Sequence, residues 1–150
     1  MAAAIDFVDD RELPNPWLVG WSFGTELTLL YGIEPQIKGA VLLSPPLHRA
    51  AEPEIQAWAG SGKPMRVLVP EFDDYLRPEA ARERFAALLT PGARSAGSEL
   101  IAVDGAKHLW VGEKYVKTVL DEIVRATNPA AYPLPLDYDG RFGPAERYGV

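Results

Sequence analysis

One short segment of this chain has the residue types and the spacing of a serine nucleophile. Gly20-Trp21-Ser22-Phe23-Gly24 follows a short apolar run and leads directly into a helical pattern. In such an elbow the serine lies at a sharp strand-to-helix turn, and side chains at Gly20 and Gly24 are expected to collide with neighbouring backbone. The Ser22 hydroxyl would then be presented to a substrate, where a nearby base would let it attack an ester carbonyl. The alternative is a turn serine that caps the next helix.

Two later segments supply an acid and a base in the chain order serine, acid, histidine. An acid loop carries Asp73 and Asp74, and His108 follows Gly105-Ala106-Lys107 near the end of the chain. His108 is the candidate general base, because the chain has only two histidines and His48 is interpreted as an ordinary loop residue that could border the pocket. The alternative is that His108 is a solvated loop residue and that both aspartates cap the helix that follows them.

The elements that must position these loops alternate along the chain. Apolar runs predict four strands, at 17–20, 38–44, 64–70 and 98–103. Helices are predicted between and around them, at 2–12, 25–31, 50–60, 79–89 and 111–126. Inward faces are assigned to Leu27, Leu30 and Tyr31, to Ala81, Phe85, Leu88 and Leu89, and to Val111, Tyr115, Val119 and Ile123. This alternation indicates an α/β fold with right-handed crossovers and a mostly parallel sheet of about four strands flanked by helices.

The composition restricts the class of protein. With 150 residues, of which 47% are hydrophobic, the chain can bury one core, and it is predicted to form one domain over residues 1–127. Residues 128–150 are proline-rich with little apolar periodicity, so a loop-like or partly disordered tail is expected. The formal net charge of −6 offers no basic surface to a polyphosphate, so neither nucleic acid nor a membrane surface is expected as a partner.

Cofactors are not expected either. There is no cysteine, which excludes a disulfide, a thiol nucleophile and a thiolate metal site. Two separated histidines without a carboxylate at ligand spacing predict no metal, and no glycine-rich phosphate loop is present for a nucleotide. The segment Met1–Asp6 has no signal-peptide pattern, and no apolar run approaches the roughly 18 residues of a membrane span, so a cytoplasmic protein is expected.

With the elbow at 20–24, the acid loop at 70–78 and the histidine loop at 105–112, the chain resembles an α/β-hydrolase, and more narrowly the dienelactone-hydrolase-like branch. The resemblance covers residues 1–126 and assigns them to the C-terminal half of that fold. It implies that Ser22 is the nucleophile, His108 the base and the backbone N–H of Phe23 an oxyanion donor. The branch's spacing from Val69 favours Asp73, which is the expected acid, whereas counting back four residues from Pro78 would favour Asp74.

The resemblance also implies what surrounds these groups. Trp21, Tyr75, Leu109 and Trp110 flank the three loops and are candidates for lining an apolar substrate pocket, although such positions are as often core. Glu26 and Glu71 are interpreted as surface or supporting residues. The implied activity is hydrolysis of a small carboxylic ester or lactone through an acyl-enzyme, and a thioesterase or acyltransferase would use the same three residues.

The resemblance does not cover the first half of the family fold, and this leads to an alternative hypothesis about the function. In the family, the loop after the third strand donates the second oxyanion N–H, and another strand lies beside the elbow strand. Residues 17–20 would then form an exposed apolar edge that pairs with a second copy or with a complementing chain. The alternative function is therefore a truncated, non-catalytic or assembly-dependent hydrolase fragment that acts through this edge.

Overall fold

A four-stranded parallel sheet organises the protein. The computed structural model describes residues 1–134, so most of the tail predicted over 128–150 lies outside the described residues. The strands lie side by side in chain order and all neighbouring pairs are parallel, as the sequence predicts. They are β1 (Trp17–Trp21), β2 (Gly39–Leu43), β3 (Met65–Phe72) and β4 (Glu99–Lys107). Both β3 and β4 extend further toward their C-terminal ends than the apolar runs indicate.

Helices connect the strands and cover the sheet. They are α1 (Ala2–Asp10), α2 (Phe23–Tyr31), α3 (Glu52–Gly60), α4 (Pro78–Arg84), α5 (Pro91–Ser95) and α6 (Glu113–Thr127). The single helix predicted over 79–89 is wrong in detail, because α4 ends at Arg84 and a 3-10 turn spans Ala86–Leu89. Another 3-10 turn spans Pro129–Ala131. Within residues 1–134 there is no helix with the length and apolarity needed to cross a bilayer.

Two apolar clusters bury the two faces of the sheet. Along β2, Ala40 and Leu42 belong to a larger cluster, whereas Val41 and Leu43 belong to a smaller one that includes Val119 of α6. The larger cluster contains Ile5, Leu29, Ile55, Trp58, Phe85 and Leu88 from the helices and the 3-10 turn. Alternate residues of a strand point to opposite faces, so the continuous apolar run of β2 reflects cover on both sides.

Some inward positions predicted from periodicity are wrong. In α2 the buried apolar residue is Leu29, and Tyr31 is 58% exposed at the end of the helix. Before α6, Val111 is 75% exposed because it precedes the helix instead of lying in its first turn. The boundary of α6 therefore differs from the predicted one, whereas α2 ends at Tyr31 as predicted and the exposed side chain lies outside its packed face.

The elbow strand lies at one edge of the sheet. Within the described residues β1 pairs with β2 alone, in the register Val19 to Val41. Val19 and Trp21 are each 48% exposed. A strand that is paired on one side only presents free backbone N–H and C=O groups along the other side, so this edge is open to pairing.

Candidate active site

Each predicted site residue comes directly after a strand. Ser22 follows β1, Asp73 follows β3 and His108 follows β4. The strands are parallel, so their carboxyl ends meet at the same edge of the sheet, where α/β proteins place their sites. The fold therefore brings His108 into contact with Asp73, which lies 35 positions earlier in the chain, and with Ser22, which lies 86 positions earlier.

The turn at Ser22 has the backbone of a strained elbow. Its φ of 49° and ψ of −117° lie in a region that residues with a side chain rarely adopt. Its N–H donates to the carbonyl of Leu43 at 2.9 Å, which ties the turn to the end of β2. A Cβ at Gly20 would meet the Gly24 carbonyl oxygen at 2.7 Å, so the first glycine is required by contact with the backbone. For the second glycine the expectation is wrong, because a Cβ at Gly24 would meet nothing within 4 Å.

A chain of hydrogen bonds joins the three candidate residues. His108 Nε2 lies 2.9 Å from Ser22 Oγ, and His108 Nδ1 lies 2.9 Å from Asp73 Oδ2. The other carboxylate oxygen, Asp73 Oδ1, accepts the backbone N–H groups of Tyr75 and Leu76 at 2.9 and 3.2 Å. Asp73 is 2% exposed and His108 is 7% exposed. The imidazole is therefore held between a buried carboxylate and the serine hydroxyl, as acyl transfer requires.

The structure separates the two aspartates that the sequence left as alternatives. Asp73 contacts His108, whereas the neighbouring Asp74 is exposed. The difference arises because β3 continues to Phe72, so that the first residue after the strand turns inward and the next one turns to solvent. Asp73 is the acid that the geometry favours.

The backbone of the histidine loop is held by two side chains at the ends of neighbouring strands. The carbonyl oxygen of His108 accepts the indole N–H of Trp21 at 3.2 Å and the hydroxyl of Ser44 at 3.1 Å. Ser44 is 1% exposed and has a φ of 50°, a strained conformation for a residue with a side chain. These two bonds fix the height of His108 above the sheet, which the sequence did not indicate.

Replacing Trp21 by phenylalanine is expected to slow acylation of Ser22 while leaving the chain folded. The variant keeps an aromatic ring, although a smaller one, and loses one neutral hydrogen bond. The loss of about 1 kcal/mol of orienting free energy corresponds to a rate that is about fivefold lower. Thermal unfolding should show that Trp21→Phe remains folded, because Trp21 is 48% exposed and its truncation leaves no buried cavity. An unchanged acylation rate for Trp21→Phe would contradict the orienting role.

The four candidate lining residues divide into two groups. Tyr75, Leu109 and Trp21 are 57%, 61% and 48% exposed, so each presents apolar surface beside the three loops. Trp110 instead is 5% exposed and packs in the smaller core cluster with Val119. Its side chain is therefore part of the core, so a lining role is incorrect for this residue.

Two acidic residues have more definite places than the sequence indicated. Glu26 is 1% exposed and accepts backbone N–H groups from the loop after β2, so of the two interpretations offered, surface or supporting residue, the structure favours the supporting one. Its position four residues after Ser22, on the same helix face, was the available signal. Glu71 is half-buried and accepts the N–H of Gly105 at 2.7 Å. This bond links β3 to β4 next to an irregularity in the pairing of the two strands.

The site offers one evident backbone donor for an oxyanion. Phe23 is the first residue of α2, so its N–H has no acceptor within the helix and lies at the positive end of the helix dipole. Within residues 1–134 no three side chains of His, Cys, Asp or Glu gather as metal ligands would. The groups that the site brings together are the Ser22 hydroxyl, the His108 imidazole and the Asp73 carboxylate.

Comparisons with known proteins reach the same fold. No family model matches the chain. No curated protein matches it either. Among solved structures, an alpha-beta serine hydrolase homologue from Coxiella burnetii has a TM-score of 0.61 at 16% identity, over 79% of this chain and 53% of that one. A predicted CIB-like hydrolase from Thermoplasma acidophilum has a TM-score of 0.57 at 17% identity, over 81% and 55%.

A third structure is slightly more similar in sequence. A cold-adapted esterase from an Arctic intertidal metagenomic library is 25% identical with a TM-score of 0.53, over 84% of this chain and 56% of that one. The chain thus spans about half the length of the solved structures that it matches. The parallel sheet and these likenesses show that the chain has part of an α/β-hydrolase fold.

Proposed function

We propose that the protein is a serine hydrolase that cleaves a carboxylic ester or lactone through an acyl-enzyme. The observation that carries the proposal is the chain of two 2.9 Å contacts from Ser22 through His108 to Asp73. The neighbouring structures that are called a serine hydrolase homologue and an esterase support this class of reaction. The lactone, and the dienelactone-hydrolase-like branch that suggests it, rest on the sequence resemblance alone.

Each residue has a definite role in the proposed reaction. His108 Nε2 takes the proton of the Ser22 hydroxyl as Oγ bonds to the ester carbonyl carbon, and the Phe23 N–H stabilises the oxyanion that forms. His108 then gives the proton to the leaving alkoxide as the ester bond breaks. A water molecule attacks the acyl-enzyme in the same way, which releases the acid and restores Ser22. Asp73 holds the Nδ1 proton throughout and stabilises the imidazolium.

The apolar surfaces beside the site favour a substrate with apolar groups. Tyr75 and Leu109 border the loops with more than half of their surface exposed. A thiolate leaving group, or an alcohol or amine acceptor in place of water, would require no other catalytic side chain, so a thioesterase or an acyltransferase would use the same three residues. The leaving group and the acceptor are the two features that distinguish these reactions.

A second candidate is an assembly-dependent hydrolase fragment, and the open edge of β1 favours it. In the family fold the second oxyanion donor belongs to a part that this chain does not span. Loss of one such donor lowers turnover by about 10² to 10³. A second copy or a complementing chain that pairs along β1 would lie next to Ser22, which immediately follows this strand.

Labelling with a fluorophosphonate probe, followed by intact mass, tests both candidates. We expect one adduct on the native chain and none on Ser22→Ala, because the probe needs the nucleophile, the base and oxyanion stabilisation together. Ser95→Ala is the matched control, since Ser95 is exposed at the end of α5, and it should be labelled like the native chain.

The two candidates predict different results in this experiment. Labelling that requires Ser22 supports a site that works within this chain. A chain that is folded by circular dichroism but is not labelled contradicts the hydrolase proposal for the chain alone. Labelling that then appears with a complementing N-terminal half of the fold would support the assembly-dependent candidate.

A further inference from the structure

A buried carboxylate that the proposed reaction does not use lies one helical turn from the nucleophile. Glu26, in the first turn of α2, is 1% exposed. Its Oε1 accepts the N–H of His48 at 2.7 Å, and its Oε2 accepts those of Arg49 and Ala50 at 3.1 and 2.6 Å. A buried charge is tolerated only with such partners, and hydrogen bonds to a charged acceptor are the strong ones. Glu26 therefore fixes the backbone of residues 48–50 to the helix that begins beside Ser22.

The loop that Glu26 holds is strained. Leu47, which immediately precedes the bonded residues, has a φ of 52° and is buried in the larger core cluster. A leucine in the left-handed region persists only where its surroundings determine the conformation. The three bonds to Glu26 provide that constraint on the following residues, so the carboxylate determines where the His48 side chain is placed.

His48 leads to the catalytic imidazole through one aromatic ring. The rings of His48 and Tyr75 meet edge to face at 5.2 Å and 85°, and the rings of Tyr75 and His108 at 4.9 Å and 71°. This is the arrangement that aromatic pairs prefer. Tyr75 is 57% exposed whereas His108 is 7% exposed, so Tyr75 takes the solvent-facing position beside the imidazole.

We propose that Glu26 is a positioning residue, which holds residues 48–50 so that the His48 ring packs against Tyr75 and the Tyr75 ring packs against the His108 imidazole. The catalytic meaning of this inference rests on the proposed function. The Tyr75 ring, supported by the His48 ring, limits rotation of the imidazole and the access of water to it, which keeps Nε2 directed at Ser22 and Nδ1 at Asp73. The neighbouring Arg49 and Ala50 contribute only their backbone N–H groups to this arrangement.

Histidine NMR tests the inference without requiring activity. The chain has two histidines, so a sample labelled with ¹⁵N-histidine contains two ring systems, and a His48→Phe spectrum assigns them. In Glu26→Gln the amide nitrogen would face backbone N–H donors, so charged bonds are lost. We expect the His108 ring signals to shift and its Nδ1–H to exchange with water about tenfold faster, the size of effect that loss of a bond to a charged group has on a local opening equilibrium.

Variants of Tyr75 test the path from Glu26 to the imidazole. Tyr75→Leu removes the aromatic ring between His48 and His108, and we expect it to reproduce the changes in the His108 signals. Tyr75→Phe retains the ring and should leave those signals where they are in the native chain. Changes of equal size in both variants would contradict a path through the aromatic ring.

Glu122→Gln is the control for a general loss of stability. Glu122 is another buried carboxylate, 9% exposed on α6, and it forms an ion pair with Arg66 near the start of β3, at the opposite end of the sheet from the site. We expect Glu122→Gln to lower the melting temperature without moving the His108 signals. If Glu26→Gln also lowers the melting temperature while the His108 signals stay unchanged, Glu26 is merely structural and the inference is overturned.

Fluorophosphonate labelling of the same variants separates this inference from the proposed function. If the native chain is labelled, Glu26→Gln should slow labelling and Glu122→Gln should not. If the native chain is not labelled, the hydrolase proposal fails for the chain alone, while the NMR comparison still decides whether Glu26 positions the imidazole.

Discussion

Replacing Asp73 by asparagine is expected to lower the rate of Ser22 acylation by about 10⁴, the effect that the same change has in other serine triads. In the native chain Asp73 Oδ1 accepts two backbone N–H groups, from Tyr75 and Leu76, and Oδ2 faces His108 Nδ1. An asparagine would keep its oxygen toward those two donors, so its NH₂ group would face the imidazole. Nδ1 would then have to accept, and the ring proton would move to Nε2.

That tautomer cannot take the proton of Ser22, because its Nε2 already carries one. The rate of fluorophosphonate labelling measures the effect, and thermal unfolding shows that the variant remains folded. Asp74→Asn is the matched control: Asp74 is the adjacent residue, it is exposed, and it should be labelled at the native rate. A large loss in Asp74→Asn with none in Asp73→Asn would assign the acid to the other aspartate.

The grouping of the site residues could be predicted from the sequence, because each residue follows an apolar run with the length of a strand. In a parallel sheet the carboxyl ends of the strands share one edge, so Ser22, His108 and an acid after β3 could be expected to meet without any knowledge of side-chain geometry. The choice between Asp73 and Asp74 was not accessible in this way. It depends on β3 continuing to Phe72, and the apolar run alone ends earlier.

The burial of Glu26 and the placement of Trp110 were not predicted from the sequence because both depend on the three-dimensional fold. Glu26 is charged and lies in the first turn of a helix, which usually means a solvated position. Its burial follows from donors in a loop that is 22 to 24 residues away along the chain. Trp110 was misplaced for a related reason, because its side chain packs in the smaller core cluster, which hydropathy alone does not indicate.

The helix boundaries could not be predicted accurately from the spacing of the apolar residues. The apolar residues Ala81, Phe85 and Leu88 are all buried, as one helical face predicts. An α-helix and a 3-10 turn place residues three or four apart on the same side, so the pattern continues through the change of helix type after Arg84. The packed face was therefore predicted correctly and the helix type was not.

Gly20→Ala is expected to destabilise the fold by about 3 kcal/mol, near the upper end of what overpacking costs. The added Cβ would meet the Gly24 carbonyl oxygen at 2.7 Å, the Gly24 carbonyl carbon at 2.8 Å and Thr25 Cα at 2.9 Å. All three are backbone atoms of the first turn of α2, so no flexible side chain can move aside. Relief requires a shift of the helix relative to β1, which would also displace Ser22.

Gly24→Ala provides the matched control within the same elbow. A Cβ there meets nothing within 4 Å, and the residue lies in α2, where alanine is a better helix former than glycine. We expect Gly24→Ala to stabilise the fold by about 0.5 to 1 kcal/mol. Chemical denaturation of both variants measures the difference. Equal stabilities would mean that the helix can move away from β1 at little cost, and the elbow would then hold Ser22 less firmly than its contacts indicate.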